Sequence, residues 1–232
     1  MTPQQSLKNK FIAERIYKVK PSGIRRFFGI AAKMPEVISL GIGEPDFATP
    51  APFAKAGFDA VYEKPIGYTA NAGLIELREA LAKHLKRLYG VSYNYANEML
   101  ITVGVSEGLK CVLTAICNEG DEIILPTPCF VAYEPEIIFA GGVPVIVEAR
   151  AENDFEVTAE AIEAKITPKT KAIFFGYPNN PTGAILTRET ALKILAVAEK
   201  YDNVYASVGV HPHDAKLYDD KAENHLIDLV RS

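Results

Sequence analysis

Between Met99 and Lys200 short apolar runs alternate with turn residues and helix-like stretches. Leu100–Val103, Glu122–Leu125, Pro144–Val147 and Lys171–Gly176 read as strands. Leu109–Ile116, Thr158–Lys165 and a run from near Thr187 to Lys200 read as helices. Strands separated by helical connections cannot pair as tight hairpins, so the order predicts an α/β fold: a mainly parallel sheet with helices on both faces. Open sheets of that kind bind ligands at the carboxyl ends of their strands. The loops leaving those ends therefore carry the functional expectations.

The densest turn chemistry is Tyr177-Pro178-Asn179-Asn180-Pro181-Thr182-Gly183. Proline fixes φ, asparagine tolerates left-handed backbone and glycine permits positive φ, so the stretch holds one loop shape. Taken alone it reads as an ordinary strand-to-helix turn, and its context has to overturn that reading. Gly104-Val105-Ser106-Glu107-Gly108 opens a helix. Its free N–H groups and positive dipole end suit a phosphate, and a plain serine cap is the alternative. Pro126–Tyr133 delivers Phe130 to the same sheet edge as Ser106. An anion seat, an aromatic ring and an amide side chain at one edge describe a site for a phosphorylated aromatic cofactor.

Upstream, residues 1–35 mix basic and apolar positions, with Ile24–Lys33 a short helix after Pro21-Ser22-Gly23. Val37–Leu40 is a brief strand running into Gly41-Ile42-Gly43-Glu44-Pro45-Asp46-Phe47. Pro52–Glu63 has helical periodicity, and the loop Gly67–Gly73 carries Tyr68. Leu74, Leu77, Leu81, Leu85 and Leu88 recur at helical spacing and predict an amphipathic helix burying that face, with His84 solvated. A chain of 232 residues, 48% hydrophobic, can bury a sizeable core. A net charge of −4 without a long basic run argues against nucleic-acid binding. Cys111, Cys117 and Cys129 lie in apolar surroundings without CxxC spacing and read as reduced core thiols. No apolar stretch reaches the length of about 18 residues that suggests a membrane span, and no signal-type leader opens the chain, so the expected location is cytoplasmic.

The loops as a set resemble the class I/II aminotransferases, the aspartate aminotransferase-like enzymes of fold type I that use pyridoxal 5′-phosphate (PLP). Gly43-Glu44-Pro45-Asp46-Phe47, Gly67-Tyr68, Gly104-Val105-Ser106-Glu107 and Asn179-Asn180-Pro181-Thr182-Gly183 stand in family order. The resemblance implies an incomplete PLP-transferase large domain over residues 41–201, preceded by an arm or small-domain segment over 1–40. It implies that the backbone of Gly104, Val105 and Ser106 holds the cofactor phosphate, Phe130 stacks on the ring and Asn180 bonds its phenolic oxygen. Gly43 would lie against the substrate carboxylate, and Tyr68 would reach the cofactor phosphate of a second subunit in a homodimer. The substrates implied are an amino acid and a 2-oxo acid.

The sequence departs from the family after about Tyr201. Val208 falls where the family places an Asp opposite the pyridinium nitrogen, and no lysine lies in the Ser-x-Ser-Lys-like context of the Schiff-base residue. The arginine that clamps the substrate α-carboxylate also has no counterpart here. The expectation is a chain of the PLP-dependent amino-acid aminotransferase family that binds PLP weakly and non-covalently and does not turn over; the alternatives are a non-catalytic PLP-binding or dimerisation module, for instance paired with an intact homologue, and a metal-dependent hydrolase activity of the tail. Residues 202–232, with Gly209-Val210-His211-Pro212-His213, resemble a fragment of TatD-type metal-dependent hydrolases. His211 and His213 are candidate metal ligands, but two histidines without a carboxylate or third ligand make a poor site, so no catalytic metal is expected. The change suggests a fused or truncated product, with Asn203–Val210 taking a sheet position and Ala222–Val230 a closing helix.

Overall fold

The computed structural model describes residues 11–21, 23–31, 33–34, 36–38, 43, 47–63, 65 and 67–201. The sheet is built on Glu122–Thr127 (β1), whose four central residues are all buried. Val143–Glu148 (β2) and Thr170–Ile173 (β3) flank it in the order β2-β1-β3, both parallel to it. Ile123 pairs with Pro144 on one side and with Ala172 on the other.

Alternation along β1 divides the core in two. Ile123 and Leu125 face a cluster with Leu113 and Ile137, while Ile124 faces one with Val147, Ile162, Ile173, Ile194 and Val197. A strand buried on both faces needs an unbroken apolar run, which Ile123-Ile124-Leu125 supplies. Removing each of these side chains from water is worth about 1.5–3 kcal/mol.

The helices are Glu14–Lys18 (α1), Ile24–Ala31 (α2), Ala51–Glu63 (α3), Ile75–Tyr89 (α4), Gly104–Ile116 (α5), Tyr133–Phe139 (α6), Ala159–Glu163 (α7) and Arg188–Lys200 (α8). Leu113 of α5 and Ile137 of α6 place those two helices on one sheet face, and Ile162 of α7 and Ile194 of α8 place theirs on the other. The α/β expectation of a mainly parallel sheet clothed on both faces is met.

Several local expectations are corrected. Leu100–Val103 is extended but joins no ladder, and is tied instead to the preceding loop by the Ile101 N–H donating to Ala72 O at 3.1 Å. Val37 and Ile38 are not in a strand, and Ser39 and Leu40 lie outside the described residues. In α4 the leucine face is not the buried one: Leu77 and Leu81 are exposed, and Arg78 and Ala82 are buried. Arg78 is held inside because its guanidinium donates to the carbonyls of Tyr95 and Ala96, fixing the segment after the helix. Cys111 is exposed on α5 and is no core thiol, whereas Cys117 and Cys129 pack against the α5–α6 cluster. His84 is exposed, as expected, with Nδ1 3.2 Å from Arg87 Nη2.

Candidate functional site

The connections decide where a ligand fits. β1 and β3 are neighbours, yet the chain leaving β1 turns to α6 on one face and the chain leaving β3 turns to α8 on the other. Adjacent loops that part to opposite faces open a crevice at the carboxyl edge of a parallel sheet. The element lengths direct the amino terminus of α5 toward the same edge. Its thirteen residues rise about 20 Å and the six of β1 about the same, and a short turn at Cys117–Asp121 reverses the chain between them.

At that terminus Gly104 has φ +73°, a left-handed conformation that favours glycine. The Gly104 N–H donates to Thr102 O at 2.9 Å, and the Val103 N–H donates to the Glu107 carboxylate, which closes back over the helix start. Val105 and Ser106 follow as first-turn residues, whose N–H groups an α-helix cannot satisfy internally, and both are exposed. Of the three residues expected to hold an anion, Gly104 thus has its N–H turned to Thr102, and Val105 and Ser106 present theirs outward beside the Ser106 hydroxyl.

On the β1 side, Phe130 is 37% exposed. Its carbonyl accepts from the Tyr133 N–H at 3.1 Å, and its ring meets the Tyr133 ring edgewise at 5.6 Å. Tyr133 in turn lies 4.5 Å from the ring of Phe174, the first residue after β3. Burial pushes the Tyr133 hydroxyl up from its ordinary pKa, and the neighbouring Cys129 adds to this. Burial raises the Cys129 thiol too, with Glu134 adding to it, so this sulfur is held as the protonated, poorly nucleophilic form.

On the β3 side, Asn180 is exposed and Asn179 is half-buried. Asn179 Nδ2 donates to Pro128 O at 3.0 Å, which spans the crevice from one lip to the other. Tyr177 Oη accepts from the Val157 N–H at 3.1 Å and donates to Phe155 O at 3.0 Å, and burial raises its pKa, keeping the donor proton in place. Among the described residues the peptide bonds Thr127–Pro128, Tyr177–Pro178 and Asn180–Pro181, all in these two loops, are cis. Concavities of about 280 and 460 Å³ lie elsewhere, between α7 and α8 and beside α1. Ser106, Phe130 and Asn180 are all exposed.

Tyr68 is fully exposed. Gly43 is exposed, with nothing within 4 Å of where a Cβ would sit, and its neighbours on both sides lie outside the described residues. His211, His213, Val208 and the whole segment 202–232 are also outside them. Among the described residues no group of three His, Cys, Asp or Glu side chains is placed to hold a metal, and no helix is long and apolar enough to cross a membrane.

Comparison with known proteins decides the family. The family model for aminotransferase class I and II matches residues 35–209, well over half of the chain. The chain belongs to the class I and II aminotransferases. An aspartate aminotransferase of Pyrococcus horikoshii is 42% identical over 220 residues, covering 95% of this chain and 56% of its own length. An aromatic-amino-acid aminotransferase of Thermococcus litoralis is 37% identical over 202 residues, covering 87% and 52%. The structure of aspartate aminotransferase from Thermus thermophilus with maleate superimposes with a TM-score of 0.76 at 35% identity, over 82% of this chain and 51% of that one. The chain therefore spans about half the length of the relatives it matches. The family match runs past Tyr201 to Gly209.

Class I and II aminotransferases are PLP enzymes. When bound, PLP supplies an electron sink for chemistry at an amino-acid Cα. The donor set at the crevice fits such a group: outward N–H groups and a hydroxyl on α5 for a phosphate, a supported aromatic face for a ring, and an exposed amide for a ring oxygen. What sequence reasoning missed is the layer behind these residues. Tyr133 was read only as the end of a loop, and Glu107, Tyr177 and Asn179 only as parts of their motifs. The partners of Tyr177 and the Pro128 partner of Asn179 lie 20 to 51 positions away, so nothing local announces them.

Proposed function

We propose that the crevice is the cofactor cradle of a PLP-dependent amino-acid transaminase, with an amino acid and a 2-oxo acid as the substrate class. Val105 and Ser106, beside Gly104, hold the phosphate; Phe130 stacks on the pyridine ring; Asn180 donates to the phenolic oxygen. Gly43 lies near the substrate carboxylate, and Tyr68 serves the cofactor site of a second subunit in a homodimer or in a pair with an intact homologue. The single observation that carries the reading is the divergence of the loops after the adjacent strands β1 and β3 to opposite sheet faces, with Asn179 Nδ2 donating to Pro128 O at 3.0 Å between them. Residues 1–232 show no lysine in the family's Schiff-base context and carry Val208 at the pyridinium position. Binding by these loops alone is reversible and non-covalent.

The test is an absorbance titration of the full chain with PLP, repeated on Ser106→Ala, Phe130→Ala and Asn180→Ala. Each substitution is expected to weaken binding by about three- to tenfold, the range of one net hydrogen bond or stacking contact. Unchanged affinity in all three variants would place the cofactor elsewhere.

A further inference from the structure

We infer that Asn179 is a positioning residue, which sets where Asn180 stands relative to the loop bearing Phe130; the inference rests on the cradle reading given above. The loop after β1 is secured from its own side, through the Tyr133 N–H donating to Phe130 O and the packing of Tyr133 between Phe130 and Phe174. The loop after β3 is anchored at Tyr177, which bonds Val157 and Phe155 and meets the Phe175 ring edgewise at 6.0 Å, contacts that do not reach the β1 loop. Relative to the β1 loop, Asn180 is located by its neighbour.

Asn179 uses both ends of its amide. Nδ2 donates to Pro128 O at 3.0 Å, across the crevice. Oδ1 accepts from Thr182 Oγ1 at 2.9 Å and from the Thr182 N–H at 3.3 Å. The backbone of the same residue donates to Ala184 O at 2.8 Å and accepts from the Gly183 N–H at 2.7 Å, while Thr182 Oγ1 accepts from the Ala184 N–H at 3.2 Å. Residues 179–184 thus form one small hydrogen-bonded unit, and its single side-chain tether to the β1 loop is the Asn179 amide. Only a side chain with a donor and an acceptor at this length closes both halves. An aspartate of the same shape keeps the Thr182 half and loses the other, setting a carboxylate against the Pro128 carbonyl. The amide in Asn179 therefore fixes the separation between a ring-stacking group on one strand end and a hydrogen-bonding group on the next. An error of about 1 Å in such a separation weakens recognition severely.

A double-mutant cycle on the full chain, read as PLP affinity by absorbance titration, separates positioning from general structural support. Asn179→Asp is expected to lose about tenfold in affinity in the wild-type background and again in the Ser106→Ala background, because the phosphate end is independent of it. In the Asn180→Ala background the same change is expected to lose less than about twofold, since the group it positions is gone. Equal losses in all three backgrounds would show a merely structural role and overturn the inference, as would no loss in any. If the wild-type chain takes up no PLP, the cradle reading itself fails and the inference falls with it. Should Asn179→Asp not fold, Thr182→Val, which withdraws the hydroxyl that holds Asn179 Oδ1, is read against the same backgrounds with the same expected pattern.

Discussion

Glu156 shows how single side chains hold the functional loop from a distance. The helix α8 starts at a threonine cap, with Thr187 Oγ1 accepting from the Thr190 N–H at 3.2 Å. In a local capping box a carboxylate three residues on would take the cap's own N–H. Here Glu156, 31 positions earlier, does so, with Oε1 accepting from the Thr187 N–H at 2.7 Å. Burial works to raise the Glu156 carboxyl, but the hydrogen bonds from Thr187 and Thr190 outweigh it and hold its pKa below the ordinary value. A depressed folded-state pKa gives stability that is present above the unfolded value and lost as pH falls through the folded one. Glu156→Gln is therefore expected to lower stability near neutral pH by less than about 1 kcal/mol, given solvent screening. The difference should close as pH falls below about 4, checked by thermal unfolding of both proteins across pH. Tyr177 pins the other end of the same loop. Tyr177→Phe leaves a Val157 N–H and a Phe155 carbonyl without their partner, and should cost about 1–3 kcal/mol by urea unfolding.

Among the elements, those marked by a short apolar run or by helical periodicity were legible. β1, β2, β3, α7 and α8 stand within a few residues of the stretches read from sequence, because an unbroken apolar run such as Ile123-Ile124-Leu125 has few other uses. The crevice could be placed because loops at the carboxyl ends of parallel strands must share an edge. Elements concealed by local breakers or set by side-chain contacts were not legible. The helix at Tyr133–Phe139 begins directly after a proline-rich loop and carries Pro135 in its first turn, where proline is tolerated, so breaker residues concealed it. The start of α5 lies at Gly104 instead of Leu109 because the Glu107 carboxylate closes over Val103. The α4 face was inverted by Arg78, whose buried charge answers to carbonyls beyond the helix. The segment Leu100–Val103 that feeds α5 depends on Gly73, which has φ +88°, and a Cβ there would stand 2.6 Å from Ile101 Cβ. Gly73→Ala is expected to lower stability by about 1–3 kcal/mol and to weaken PLP binding by shifting the entry to α5, measured by unfolding and titration together.

Across the whole molecule, apolar side chains stand uncovered on the helices around the sheet. Phe53, Phe58 and Val61 on α3, Leu77 and Leu81 on α4, and Val105 and Val112 on α5 are all exposed. Surfaces of that kind mark association sites in soluble proteins. The chain is therefore expected to sediment as a dimer or larger species, and a monodisperse monomer at micromolar concentration would contradict the proposed pairing through the Tyr68 surface. The central claim is that these residues retain a PLP cradle without the family's covalent lysine. It is tested most directly by equilibrating the full chain with PLP, measuring uptake by dialysis, then treating with borohydride and mapping mass additions. The account predicts saturable uptake with no stable addition on any one lysine. Stoichiometric labelling of a single lysine, or no uptake at all, would contradict it.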